Sequence, residues 1–166
     1  MGLGSFGKHH VRHYGMNADA RLVGVADVDE PRARAAGEQY GCAVYGDHRD
    51  LIGKVDAVSI TLPAMLHHRV ARDFLDAGVH VLIEKPITAD SAAARDLIDA
   101  ADKANAVLQV GHLERFSPVV DARRRCVTSP RRISASRRTP WTGRSTDVDV
   151  ILDLMIHDID LALLLA

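Results

Sequence analysis

Six residues near the start of the chain, Gly2-Leu3-Gly4-Ser5-Phe6-Gly7, have the spacing G-x-G-x-x-G. In that pattern the first glycine permits a tight turn, and the second lets the backbone approach a pyrophosphate. The third allows a helix to pack closely on a sheet. A helix opening at Phe6 would point its free N–H groups at the phosphates. Gly2, Gly4, Ser5, Phe6 and Gly7 are therefore candidate cofactor-binding residues. Asp27 stands at the end of an apolar run, twenty residues after Gly7. A carboxylate there can accept hydrogen bonds from the adenosine ribose hydroxyls and would repel a 2′-phosphate. The expected cofactor is NAD, with NADP less favoured. Arg32 and Arg34 soften that preference if they swing toward the ribose.

The elements that must position this loop are legible as periodicity. Strands are expected over 21–27, 43–45, 56–61, 79–84 and 106–111, and helices over 6–16, 31–40, 66–77 and 91–105. Near-continuous valine and isoleucine suggest strands buried on both faces. Alternation of strand and helix gives βαβ units, a parallel sheet and right-handed crossovers. The expected fold class is α/β. A Rossmann dinucleotide-binding domain is assigned to 1–112, and the truncated beginning of an α/β substrate domain to 113–166. The glycine motif should follow a strand, yet only Met1 precedes Gly2. The first strand is expected to be missing, which would leave backbone groups unpaired in a central slot. A last apolar helix is expected over 150–165, and an exposed strand over 131–140.

Composition narrows the class. Of 166 residues, 47% are hydrophobic, enough for a sizeable core, and the formal net charge of −1 argues against a general polyanion binder. Cys42 and Cys126 are far apart and form no C-x-x-C pair, so neither a disulfide framework nor a zinc knuckle is implied. No apolar run approaches the ~20 residues of a membrane span, and glycines stand where a signal peptide would be apolar. A soluble cytoplasmic protein is expected, with no nucleic-acid or membrane partner.

In order along the chain, GLGSFG, VADVD, LPAMLHH, Glu84-Lys85-Pro86 after an apolar strand, GHLERFSP and Asp153-x-x-x-His157 resemble the glucose–fructose oxidoreductase/inositol dehydrogenase family, Gfo/Idh/MocA. The resemblance implies a Rossmann domain followed by an open-faced α/β substrate domain. It implies oxidation of a secondary hydroxyl of a sugar or cyclitol, and a homo-oligomer in the full-length form. VGHLERFSPVV with GRSTDVDVILDLMIHDID resembles, more narrowly, the UDP-N-acetylglucosamine 3-dehydrogenase branch, whose substrate is a nucleotide sugar oxidised at its 3-hydroxyl. Val148-Asp149 depart from the Gly-Gly pair often found ahead of the Asp-x-x-x-His element.

The resemblance places Lys85 in the site, at a strand end where it can hydrogen-bond the alcohol oxygen and stabilise developing negative charge. Asp153 and His157, spaced i, i+4, would share one helix face, with Leu152, Met155, Ile156 and Ile159 as the buried stripe. His157 would accept the hydroxyl proton, and Asp153 would orient its ring or bind a sugar hydroxyl. Lys85, His157 and Asp153 are the candidate catalytic residues. Leu62, Pro63, His67, Glu84 and Lys85 are expected beside the cofactor, and Arg115, Asp153 and His157 beside the substrate. The Lys85–Pro86 bond is expected to be cis. Asp158 and Asp160 are not read as metal ligands, because an acid/base pair suffices for hydride transfer from an alcohol.

Two features stand outside this scheme. His9, His10 and His13 lie at helical spacing and read as a solvated face. Residues 121–144 hold eight arginines and one acid, a solvated face or, alternatively, a grip on a substrate diphosphate. The competing reading of the whole chain is a non-catalytic dinucleotide-binding protein or an inactive fragment of such a dehydrogenase.

Overall fold

A computed structural model describes residues 1–140, 143 and 147–166. Arg144 of the arginine-rich segment and residues 144–146 of the second motif lie outside the described residues. The chain divides into two compact units, Met1–Val110 and Gly111–Ala166.

The first unit alternates helix and strand: α1 (Gly7–Met16), β1 (Gly24–Ala26), α2 (Glu30–Tyr40), β2 (Ala43–Tyr45), β3 (Ala57–Ile60), α3 (Ala64–Asp76), β4 (His80–Glu84), α4 (Ser91–Ala104) and β5 (Leu108–Gly111, whose last residue opens the second unit). Local chemistry sets the helix ends. Asp29 accepts a hydrogen bond from Arg32 N at 3.0 Å, Pro31 fills the first turn of α2, and Gly41 closes it with φ 63°. Asp90 caps α4 through Ala93 N at 2.8 Å, and Asn105 ends it in the left-handed region.

β1 pairs with β2 in parallel, from Gly24 opposite Ala43 to Ala26 opposite Tyr45. β3 pairs with β4 in parallel, from Ala57 opposite His80 to Ile60 opposite Ile83, and β5 lies beside β4. The core gathers around β3 and β4. Phe74 and Leu75 of α3, Ile60, Ile83 and Leu97 of α4 are all 0% exposed. Each such side chain stabilises the unit by roughly 1.5–3 kcal/mol.

The expected single parallel sheet is corrected to two, β1-β2 and β3-β4-β5. The start of the chain bridges them. The Met1 ammonium donates to Ser59 O at 2.7 Å, Thr61 N to Met1 O at 2.9 Å, and Gly2 N to Ala26 O at 2.9 Å. Alongside this bridge, a groove of about 340 Å³ runs between β1 and β3, lined by Val11, Val25, Val55 and Val58 among others. β2 also departs from expectation. Ala43 and Val44 are exposed, because β2 is an outer strand of a two-stranded sheet.

The second unit contains α5 (Pro118–Cys126) and α6 (Ile156–Leu165), the latter entered through a π-helical turn, Ile151–Met155. α5 was not expected, although Pro118 in its first turn is a helix-start signal. The strand expected over 131–140 is absent: the segment is exposed, takes no regular structure and has no partner strand among the described residues. The π turn also alters the expected stripe. Met155 is 51% and Ile159 41% exposed, and Asp160 is the buried residue of α6. Asp153 stands inside the π turn, which is wider than an α turn, and His157 stands on the first turn of α6.

Candidate functional site

The glycine loop shows three different steric demands. Gly2 has φ +77°, and a Cβ there would lie 2.8 Å from Leu62 Cδ2 and 2.9 Å from Thr61 O. At Gly7 a Cβ would stand 1.8 Å from Gly2 O, so α1 can begin against the loop only without a side chain. At Gly4 a Cβ would meet nothing within 4 Å. Gly4, Ser5 and Phe6 are exposed. The loop is therefore bare toward solvent just ahead of the N-terminus of a ten-residue helix, the arrangement that receives an anion.

Asp27 follows β1 and faces this loop. Its Oδ2 accepts from Leu3 N at 2.5 Å and its Oδ1 from Asp29 N at 2.9 Å, with the side chain 6% exposed. Arg32 Nη1 is 3.5 Å from Asp27 Oδ2 and Nη2 is 2.8 Å from Asp29 Oδ2, while Arg34 is tied to Glu30. Next to Asp27 a hollow of about 570 Å³ is lined by Val28, Ala33, Val44, Tyr45 and others.

Leu62 and Pro63 leave β3, and Leu62 packs on the first glycine. His67 follows in the first turn of α3. It is 1% exposed, with Nδ1 2.9 Å from Pro86 O and Nε2 2.8 Å from Leu62 O. Glu84 ends β4 at 8% exposure, and Lys85 follows, half-buried, with a cis bond to Pro86.

His10 corrects the reading of a solvated histidine face. His9 and His13 are exposed, but His10 lies 2.7 Å from Ser59 Oγ through Nδ1 and 3.0 Å from Glu84 Oε1 through Nε2. The sequence signal was indirect: Glu84, at the end of an apolar strand, needed a partner.

In the second unit, charged residues are densely paired. Arg115 binds Asp160 through Nε at 2.7 Å and through Nη2, and His112 Nδ1 lies 3.8 Å from Asp160. This guanidinium holds the Asp160 carboxyl below the usual carboxylate range. Arg137 grips Glu114 with two bonds of 2.7 Å and reaches Asp158 at 3.1 Å. Glu114 is likewise pushed below its ordinary value, first by Arg137. His157 Nδ1 is 3.9 Å from Glu114 Oε1, with its side chain 12% exposed. The structure thus groups His157 with Glu114, Arg137 and Asp158. It places Arg115, expected beside a substrate, on Asp160. Asp153 lies within the π turn and is half-buried.

Residues 1–112 match the model of the GFO_IDH_MocA oxidoreductase family, NAD-binding Rossmann fold. The chain belongs to the Gfo/Idh/MocA family. A curated relative, UDP-N-acetylglucosamine 3-dehydrogenase of Acidithiobacillus ferrooxidans, is 41% identical over 166 residues, covering 99% of this chain and 52% of the relative. A crystal form of that enzyme superposes with a TM-score of 0.91, covering 99% of this chain and 55% of the other. Inositol 2-dehydrogenase of Rhizobium meliloti is 34% identical over 173 residues, 98% of this chain and 52% of the relative. A structure of scyllo-inositol dehydrogenase from Lactobacillus casei with bound NAD(H) and scyllo-inositol aligns at TM-score 0.71 and 28% identity, over 75% of this chain and 38% of the other. The chain spans about half the length of the curated relatives it matches.

Proposed function

We propose that this Gfo/Idh/MocA chain binds NAD through Met1–Val110 and contributes to oxidising a secondary hydroxyl of a sugar, the 3-hydroxyl of a UDP-N-acetyl-hexosamine. The observation that carries the reading is the contrast within the glycine loop. Gly2 and Gly7 are closed against protein atoms and Gly4 opens to solvent. A loop needing glycine only for its own packing would have no reason to leave Gly4 bare. Bare backbone beside a helix N-terminus is what a pyrophosphate requires.

Asp27 takes the adenosine ribose and the neighbouring hollow the adenine. Arg32, beside that carboxylate, reduces the bias against a 2′-phosphate without removing it. NAD, when bound, supplies the hydride acceptor. Leu62, Pro63 and Glu84 shape the edge against which it lies, and His67 acts there through the backbone carbonyls it holds. Lys85 hydrogen-bonds the alcohol oxygen and stabilises its developing charge. His157 accepts the hydroxyl proton, and Glu114 at 3.9 Å stabilises the imidazolium that results. Asp153 contacts a sugar hydroxyl. Residues 113–166 belong to the substrate domain. The choice of UDP-N-acetylglucosamine rests on the 41% identity to the Acidithiobacillus ferrooxidans enzyme.

Two measurements test this. Calorimetric titration with NAD and NADP should give tighter binding of NAD; equal or tighter NADP binding overturns that choice. Turnover of UDP-N-acetylglucosamine with NAD should fall by roughly 10²–10⁴ in His157→Ala and in Lys85→Ala, the span of general acid–base catalysis. Near-parental turnover of either variant removes that residue from the mechanism.

A further inference from the structure

Lys85 lies just past the point where the sheet can hold it. The β3–β4 register ends at Ile60 opposite Ile83, and β4 itself ends at Glu84. A lysine carries a flexible four-carbon stem, so a site that depends on its ammonium must fix the backbone that aims it. Both sequence neighbours of Lys85 are held by a histidine from another element. On one side, Glu84 Oε1 is 3.0 Å from Nε2 of His10 in α1, whose Nδ1 meets Ser59 Oγ of β3 at 2.7 Å. On the other, Pro86 O is 2.9 Å from Nδ1 of His67 in α3, whose Nε2 meets Leu62 O at 2.8 Å.

The chemistry of the partners makes these contacts directional. A carbonyl oxygen only accepts, so each His67 bond that forms consumes a ring N–H. An ionised Glu84 also only accepts, so His10 donates from Nε2 and can receive the Ser59 hydroxyl at Nδ1. His67 is 1% exposed, and a lost bond there would not be replaced by water.

We propose that His10 and His67 are positioning residues that bracket Lys85 where the ladder has ended, His10 through the Glu84 side chain and His67 through the Pro86 carbonyl. This rests on reading Lys85 as an active-site lysine. Neither histidine touches substrate or cofactor in this scheme. The same contacts tie the nucleotide loop to the lysine: α1 follows the glycine loop, and Leu62 packs on Gly2.

The test separates the two nitrogens of each ring. An Asn amide nitrogen falls near the position of Nδ1 and a Gln amide nitrogen near that of Nε2. His67→Asn therefore keeps the Pro86 bond and His67→Gln loses it. At His10 the order reverses: His10→Gln keeps the Glu84 bond and His10→Asn loses it. The chain has four lysines, Lys8, Lys54, Lys85 and Lys103. Reductive methylation with ¹³C-formaldehyde thus gives few signals, and Lys85→Arg assigns the one of interest. The Lys85 methyl signal should keep its parental shift in His67→Asn and His10→Gln. It should move toward the exposed lysines in His67→Gln and His10→Asn. NADH affinity should fall about tenfold in His67→Gln and His10→Asn, the weight of one buried hydrogen bond. A shifted signal in either retaining variant, or a parental one in either losing variant, overturns the proposal. A parent that binds no NADH would refute nucleotide binding, yet the methyl signals would still decide whether the bracket exists.

Discussion

Replacing Gly4 and Gly7 by alanine, one at a time, separates a loop built to hold a ligand from one built only to pack. At Gly7 the added methyl would stand 1.8 Å from Gly2 O, where real contacts essentially never fall below 3.0 Å. The obstacle is backbone, so the loop and α1 must part by more than an ångström. Overpacking of this kind costs typically 1–3 kcal/mol, and for a chain of this size each kcal/mol moves Tm by about 2–4 °C. Gly7→Ala should therefore melt roughly 2–12 °C below the parent. At Gly4 the methyl meets nothing within 4 Å and φ lies outside the left-handed region. Stability should hold, or rise by about 0.4–1 kcal/mol through the stiffer unfolded chain. The same methyl would occupy the approach of a pyrophosphate and strip at least one charge-assisted hydrogen bond, worth about 1.5–3 kcal/mol, so NADH affinity should fall roughly 10- to 100-fold. Thermal melts followed by circular dichroism and NADH fluorescence titration read both quantities. Gly4→Ala binding NADH as tightly as the parent would refute the cradle. A Gly7→Ala melt equal to the parent's would refute the packing argument.

Further outcomes follow from single contacts. Arg115→Ala leaves Asp160 buried without its guanidinium and should cost about 1–3 kcal/mol in the melting of the second unit. The folded pKa of Asp160 is depressed, so the pair's contribution is present above the ordinary carboxyl range and fades as pH falls through the lowered value. Acidification from pH 6 to pH 3 should therefore destabilise the parent more than Arg115→Ala, and equal losses would contradict this. Arg32→Ala removes the cation 3.5 Å from Asp27 and should raise the NAD-to-NADP affinity ratio; an unchanged ratio would show that Arg32 does not face the ribose. Asp90→Ala deletes the cap on Ala93 N and should cost about 1 kcal/mol, with Asp90→Ser recovering most of it in the same melt.

Much of the first unit was legible because its elements obey local rules. Strand runs rich in valine and isoleucine, glycine and asparagine stops and aspartate starts mark β2, β3, β4, α2 and α4 to within a residue or two. Departures occur where a distant partner decides. Helical spacing put His10 beside exposed His9 and His13, and only the fold brings Ser59 and Glu84 to it, 49 and 74 residues away. Residues 131–140 alternate like a strand but meet no second edge among the described residues, and a lone strand has nowhere to place its hydrogen bonds. The π turn at Ile151–Met155 adds a residue to one helical turn, and a 3.6-residue period cannot foresee that. Nor does a sequence show that Asp160, 45 residues on from Arg115, is buried against it.

The bridge at Met1 and Gly2 also bears on the order in which the first unit assembles. The loop is fastened by Ser59, Thr61 and Ala26, and the helix behind it by Glu84, so its contacts span 24 to 74 residues of chain. The closures onto Ser59, Thr61 and Glu84 cannot form before β3 and β4 exist to receive them, and contacts of long sequence separation slow folding. The glycine loop should therefore close late in folding, after the core of α3 and β4 around Phe74. Substitutions in the loop should speed unfolding and leave the refolding rate nearly untouched, whereas Phe74→Leu should slow refolding. A ligand that grips the loop would then act mainly as a brake on unfolding.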